Sequence, residues 1–390
     1  MRLTRLARAL SQEQLAQASG VSRQAIAGVE SGRWAPSLKV ALNIARALGA
    51  SVEELFGGTV PLPPVEAVAV DEVPLSSGQG TRVALASVLG RAIAFPLAHH
   101  AAADFGFRPA SAVVEDARAS RTGKRPGDDS AADPKSGRRD SQRVATRQIA
   151  PLSPTVVIAG CDPALPLLAV PLGRLDTPVD LLWWPCGSGR ALELLRDGLV
   201  HVAGVHHVDP DENEDAGREA REWGSSLAEL DAVAVGFARW REGLAIRPQV
   251  PHKVHDLAGV ANLGLRLVNR EPGSEARQLL EEERRRLQVK ARDLAGYETA
   301  ATGHLQVASA LAAGLGDVGI VSEPAALAYE LTFVPMATER YDLVVRRAAL
   351  HSPEVQGLLR ALRSAWLRPQ LQALPAYDAS MCGDVFEPVP

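Results

Sequence analysis

Between Leu10 and Arg33 the chain places apolar residues at helical spacing on both sides of Ser19-Gly20-Val21. Two short helices, each of about two turns and joined by a tight turn, are what such a pattern folds into. Leu15, Ala16, Val21, Ile26 and Val29 have the small and branched apolar side chains needed to pack one helix on the other, so they are expected in a core. Ser11, Gly20, Ser22, Gly32, Pro36-Ser37 and Gly49 punctuate the segment into four or five short helices. After Phe56-Gly57-Gly58, the run Pro61-Leu62-Pro63-Pro64 cannot continue a helix, which sets a first domain at residues 1–57.

The second helix begins at Ser22, and Arg23, Gln24, Ala27 and Gly28 share the face that would enter a major groove. There Arg grips guanine and Gln grips adenine bidentately. Ser11 or Gln12, at the start of the preceding helix, is placed to bond a phosphate, and Arg33 closes the candidate DNA-contacting set. Residues 1–57 carry seven Lys/Arg against four Asp/Glu although the whole chain is at −4, so the positive charge is local. The run Leu-Ser-Gln-Glu-Gln-Leu-Ala through Val-Glu-Ser-Gly-Arg, with Pro36-Ser37-Leu38 and Ala45-Arg46-Ala47-Leu48-Gly49, resembles the Cro/C1-type (XRE) helix-turn-helix family over about residues 3–56. The resemblance implies a double-stranded operator with two-fold symmetry and a homodimer. A small helical bundle used for protein contact is the alternative.

Residues 58–109 are expected to be a linker and a small connecting element, with residues 81–98 open between a hairpin and a helix. From Ala110 to Ala150 the composition turns to Arg, Asp, Ser, Gly and Ala without periodicity or aromatics, which predicts a disordered tether, since such a segment buries too little to offset its chain entropy.

Residues 151–390 read as strand then helix, repeatedly. Apolar runs at 155–160, 179–184, 201–205, 232–236, 265–269 and 318–321 alternate with helical patterns at 191–197, 274–288, 305–313 and 353–366. The alternation predicts a parallel sheet with helices on its faces, and its length favours two lobes with a cleft between them. Four loops run from strand to helix through small residues: Gly160-Cys161-Asp162-Pro163, Cys186-Gly187-Ser188-Gly189, Glu271-Pro272-Gly273-Ser274 and Ala301-Thr302-Gly303-His304. Each is either an ordinary helix cap or an anion cradle, because a helix N-terminus offers unpaired N–H groups.

The segments Ala159-Gly-Cys-Asp-Pro-Ala-Leu165, Gly187-Ser-Gly-Arg-Ala-Leu192, Ala203-Gly-Val-His-His-Val-Asp209, Val268-Asn-Arg-Glu-Pro-Gly-Ser-Glu-Ala-Arg277 and Gly314-Leu-Gly-Asp-Val-Gly319 resemble periplasmic-binding-protein-like domains linked to molybdate sensing. The resemblance covers about residues 151–370 and implies an α/β, type II solute-binding fold with its ligand between two lobes. By it, Ser188, Ser274 and Thr302 become hydroxyl contacts, and Arg270 and Arg277 hold the loop or the anion's charge. Cys161, Asp162 and His304, in the same loops, join the ligand-binding set. Molybdate or tungstate is the implied oxyanion. The chain departs from the pattern at Glu275 and in the acidic run Asp211-Glu-Asn-Glu-Asp215, where a carboxylate would repel an anion. Another oxyanion, a small organic acid or a cationic ligand therefore stays open.

Composition excludes other classes. Hydrophobic residues at 46% and charged residues at 23% are ordinary for a globular protein, and no apolar run reaches the ~18 residues of a membrane span. The amino terminus lacks signal-peptide character, so a cytoplasmic protein without membrane association is expected. Cys161, Cys186 and Cys382 are too scattered for a disulfide framework or a zinc clip. His206, His207 and Asp209, like His252 and His255, lack a diagnostic ligand spacing, so structural or supporting histidines are expected rather than a metal site. No base stands at a motif distance from Cys161, so no catalytic residue and no cofactor are expected. The expectation is an all-α helix-turn-helix domain followed by an α/β two-lobed ligand sensor. Its alternatives are a regulator whose second domain serves only assembly, or a reader fused to an enzyme.

Overall fold

The computed structural model describes residues 1–56, 62–71, 80–97, 107–118, 142–208, 216–250 and 254–387. Contacts divide the chain into two compact units, residues 1–63 and 64–390. No described helix is long and apolar enough to cross a membrane.

The first unit contains α1 (Arg2–Ala7), α2 (Gln12–Ser19), α3 (Arg23–Glu30), α4 (Leu38–Leu48) and α5 (Val52–Phe56). Serines start four of the helices, with the hydroxyls of Ser11, Ser22, Ser37 and Ser51 accepting from the N–H groups of Gln14, Ala25, Val40 and Glu54. Ser11 and Gln14 form a reciprocal capping box. Gly20 ends α2 at φ 66°, a left-handed conformation that costs glycine least and turns the chain directly into α3. Leu15, Ala16 and Ile26 meet Ile44, Ala45 and Leu48 in the core, with Val21 packed at its edge, while Val29 is half-buried.

The second unit opens with a closed barrel of five strands, β1 (Val65–Ala69), β2 (Thr81–Val88), β3 (Arg91–Pro96), β4 (Ala112–Arg118) and β5 (Arg143–Gln148), in the order β1-β3-β2-β4-β5. Where a connecting element and then a disordered tether were expected, the ends of the 110–150 segment are therefore strands. Residues 119–141 of that segment lie outside the described residues. Val144 and Thr146 are buried while Arg143, Ala145 and Arg147 face outward, an alternation of period two that the Arg-rich composition hid. Within the segment open between hairpin and helix, residues 81–96 form a hairpin: Leu89 and Gly90 turn it, both at positive φ, as a two-residue turn of this hand demands.

The remainder is a mixed sheet in the order β12-β9-β13-β8-β6-β7. Its strands are β6 (Thr155–Ala159), β7 (Asp180–Trp184), β8 (Val202–Val208), β9 (Ala232–Ile246), β12 (Val318–Ser322) and β13 (Thr332–Arg346), with β10 (Asn269–Arg270) and β11 (Ala300–Ala301) forming a separate small ladder and β14 (Val385–Phe386) pairing with β9. The helices are α6 (Ala169–Gly173), α7 (Ser188–Arg196), α8 (Ala216–Glu229), α9 (Leu257–Asn262), α10 (Glu275–Arg286), α11 (His304–Ala312), α12 (Glu323–Ala328), α13 (Pro353–Leu362) and α14 (Leu367–Gln372). The sheet is not wholly parallel: β6 pairs with β7 and β8 in parallel, whereas β13 pairs with β8 and β9, and β12 with β9, antiparallel.

The two fifteen-residue strands, β9 and β13, run side by side through both lobes. At one end they join β8, β6 and β7 to make the first lobe; at the other, β9 carries β12 and the second lobe. Separate apolar cores serve the lobes, one around Leu165, Phe237 and Leu358, another around Leu257, Leu280 and Val318. The barrel is no appendage, since its Val88, Ile93 and Phe95 enter one core with Val157, Trp184 and Leu194 of the first lobe.

Candidate DNA-reading helix and interlobe site

On α3 the side chains of Arg23 and Gln24 are exposed beside the Ser22 cap, and Ala27 and Gly28 are half-buried one turn on. Ala27 and Gly28 leave the middle of this face low, although a Cβ on Gly28 would come within 3.5 Å of Trp34. Arg33 is exposed and donates to the Ser31 hydroxyl at 3.0 Å. Gln12 is placed differently from its expected role. Its amide donates to Glu30 at 2.8 Å, and Glu30 also takes a two-pronged ion pair from Arg5 at 2.7 and 3.0 Å. This side chain braces α2 against α3 and α1. Ser11 is exposed, and its hydroxyl oxygen is engaged at the cap.

Where β9 and β13 pass between the lobes, they carry charge into the interior. Trp240 and Glu242 on β9, and Glu339 and Tyr341 on β13, share one sheet face, and His206 pairs opposite Tyr341 on β8. All five are buried. Tyr341 reaches this position because Gly160 and Gly204 lack side chains: a Cβ on either would lie about 2 Å from its hydroxyl. His206 Nδ1 faces Glu339 at 2.6 Å, and its Nε2 faces the Cys161 sulfur at 2.8 Å. From the second lobe, Arg270 makes a two-pronged pair with Glu271 at 2.8 and 2.9 Å and reaches His304 Nδ1 at 3.0 Å.

Burial sets the protonation states. Glu242 is held well above the carboxylate range by burial and then by Glu339 beside it, and burial raises Glu339 to about 7. Burial opposes a charged His206, yet the Cys161 sulfur and the carboxyls around it hold its pKa up at about 9. Burial and Arg270 keep His304 neutral. Burial likewise pushes the Cys186 thiol up to about 12, which makes it inert as a nucleophile.

The lobes meet closely. A Cβ on Gly187, at the start of α7, would stand 3.1 Å from the Gly273 carbonyl of the opposite lobe and 3.3 Å from Ser274 Cα. Between them a crevice with room for about one water is lined by Cys161, Trp183, Cys186, Glu271, Thr302 and His304. The fold thus brings Cys161, Ser188, Arg270, Ser274, Thr302 and His304 around one cleft. Their hydrogen bonds are largely internal. Ser188 accepts from His206 N–H at 3.1 Å, while Ser274 donates to the Glu271 carbonyl at 2.9 Å and caps α10. Arg277 lies over the Tyr297 ring at 4.3 Å and holds its loop.

Asp162 is set apart from the cleft, fully buried between the Ala164 N–H and the Tyr377 hydroxyl. His206 and His207, adjacent on β8, point to opposite faces; His207 meets Asp342 at 2.8 Å. They therefore cannot share an ion, and Asp209 and the acidic run 211–215 lie outside the described residues. Trp183 and Trp184 divide in the same way, Trp183 lining the crevice and Trp184 packing edge-on against Phe95 of the barrel at 5.5 Å. Sequence reading passed over Glu242 and Glu339. The available signal was a charge set inside each of two long strand-forming runs, Trp240-Arg-Glu-Gly-Leu-Ala-Ile246 and Glu339-Arg-Tyr-Asp-Leu-Val-Val345.

Residues 1–55 match the helix-turn-helix family, and residues 171–363 match the PBP superfamily domain. Over 47 residues the chain is 49% identical to the uncharacterized HTH-type transcriptional regulator MJ0272 of Methanocaldococcus jannaschii, covering 12% of this chain and 71% of that one. Over 232 residues it is 25% identical to the uncharacterized protein YvgK of Bacillus subtilis, covering 60% of this chain and 73% of that one. Among solved structures, the effector-binding domain of QuiR in complex with shikimate aligns at a TM-score of 0.39 and 12% identity, over 54% of this chain and 97% of that one. The chain belongs to the helix-turn-helix transcriptional regulators of XRE type and joins that reader to a ligand-binding domain of the PBP superfamily.

Proposed function

We propose that the protein is a ligand-responsive, non-enzymatic regulator that binds operator DNA as a homodimer through α3, acts in the cytoplasm, and senses a small ligand in the cleft between its two lobes. The observation that carries this reading is the pairing of an exposed, capped α3 bearing Arg23 and Gln24 with a second unit whose lobes share two continuous strands. A second copy is favoured by Leu38 and Leu42, which lie one turn apart on α4 at 73% and 40% exposure. A ligand shifts DNA affinity only by its differential affinity for the competent and incompetent states, a coupling of about 1–3 kcal/mol.

As to the ligand, the resemblance to molybdate-sensing domains favours an oxyanion, and the buried carboxyls Glu242 and Glu339 weigh against one. Arg270, the buried guanidinium of the cluster, already has Glu271 as its counter-ion. Operator fragments selected from a random library, titrated with the parent and Arg23→Ala, test the reading. The variant is expected to lose sequence specificity while its melting temperature stays unchanged, because Arg23 is exposed. Full specificity in Arg23→Ala would refute the assignment of α3.

A further inference from the structure

Glu242 lies in the interlobe cluster at 0% exposure, and no N–H or hydroxyl donor reaches either of its oxygens; its hydrogen-bonding neighbour is the Glu339 carboxyl. Its nearest nitrogen is His304 Nδ1 at 3.5 Å, which already accepts from the Ser322 N–H and faces Arg270. Arg270 is spent on Glu271. The remaining neighbour is another buried carboxyl, Glu339, itself against His206. Two carboxyls facing one another there share either a proton, which is how burial holds Glu242 without an ion, or a metal ion, since a buried carboxylate is tolerated when paired or bound to a metal.

The oxygens of Glu242 and Glu339 and a ring nitrogen of His206 all lie within 4.8 Å of one another. Cys161, His206 and His304 form a second such group, but it fails on its tautomer. Because His304 Nδ1 accepts from a backbone N–H, its neutral ring holds the proton on Nε2 and has no lone pair there for an ion. His206 has the opposite arrangement. Its Nε2 contacts the Cys161 sulfur, so an Nε2–H can donate there, the orienting partner that metal-bound histidines require, while an ion takes the place of the proton between Nδ1 and Glu339.

We propose that the closed cleft binds one divalent first-row transition-metal ion through His206 Nδ1, Glu242 and Glu339, with Cys161 orienting the imidazole. One imidazole and two carboxylates suit the ions from Mn²⁺ to Zn²⁺ better than Ca²⁺ or Mg²⁺, which prefer all-oxygen shells and more ligands. This assignment rests on the cleft being the ligand site, and it names the ligand's class as a cation rather than an oxyanion.

The test is calorimetric titration of the chelator-treated full chain with Zn²⁺, Ni²⁺ and Mn²⁺, beside Mg²⁺, Ca²⁺ and molybdate, together with metal analysis of the loaded protein. One transition-metal ion per chain is expected. E242Q and E339Q should each weaken binding by more than the ~10- to 100-fold that loss of an outer partner costs, and C161S by about that amount. Glutamine keeps the shape of the buried, protonated carboxyl, so metal-free E242Q should melt no lower than the parent, which separates lost binding from lost folding. Unchanged metal affinity in E242Q overturns the site. Molybdate binding without any bound divalent ion overturns the metal and leaves the cleft reading standing, whereas binding of neither class defeats both.

Discussion

Asp162 sits in the loop that sequence reading assigned to ligand, yet it is sealed from the cleft and serves the fold. Burial raises its pKa to about 6, even with the Tyr377 hydroxyl and the Ala164 N–H favouring the charged form. The folded state therefore holds a proton that the unfolded chain, titrating near 3.8, has released. That contribution is complete below the unfolded pKa and is lost as pH rises through about 6, on the order of 3 kcal/mol. Denaturant melts of parent and Asp162→Asn between pH 4 and 7 should show the slope flattened in the variant; an unchanged slope would assign it elsewhere. At the same scale, Gly204→Ala would drive a Cβ to 1.9 Å from the Tyr341 hydroxyl, an overpacking cost of up to about 3 kcal/mol. Tyr341→Phe should recover part of that loss in a double-mutant cycle, since the ring carbon bearing the hydroxyl also lies close, at 2.6 Å.

Among the elements, α7 and the 273–274 loop decide how far the lobes close. Gly187 gives α7 an N-terminus without a side-chain cap, and its missing Cβ lets the Gly273 carbonyl approach. Gly187→Ala adds a methyl group at 3.1 Å from that carbonyl, tighter than a relaxed contact, so closure must give by a few tenths of an ångström. Affinity for any cleft ligand should fall several-fold while the unfolding free energy of the unliganded protein holds within about 0.5 kcal/mol of parent, if the lobes stand apart without ligand and leave room for the methyl. A matched loss of stability without ligand would mean that the lobes are closed at rest. Because β9 and β13 pass continuously through both lobes, any change in lobe spacing would bend two long strands rather than turn on loose linkers.

Across the second unit, the barrel and the first lobe are one folding problem. Phe95 is fully buried and packs edge-on against Trp184, and Arg190 ties α7 to the Val70 carbonyl and Asp71. Phe95→Ala should cost about 3–5 kcal/mol and destabilise the lobe along with the barrel, visible as one cooperative transition by tryptophan fluorescence. Two separate transitions, with only the barrel affected, would show that the shared core contributes nothing to the lobe.

The sequence by itself determined what depends on near neighbours. Ser11, Ser22 and Gly20 mark the ends of α2 and α3, because caps and a left-handed turn are local chemistry, and the spacing of Leu15, Ala16 and Ile26 already names their packing. Strand-to-helix alternation located β6, β7 and the glycine-bearing loops of the cleft for the same reason. Tertiary structure decided the rest. The ends of the 110–150 segment became strands only because a barrel supplies them with partners, and Glu339, Arg340 and Asp342 of β13 are buried only because the sheet and the elements around it enclose them. Glu242, Glu339, His206 and Cys161 are separated by tens of residues in the chain, and no local spacing records that two long strands bring them together. Whether a charge is solvated or buried is a property of what packs over it, and that is set by contacts between residues far apart in sequence.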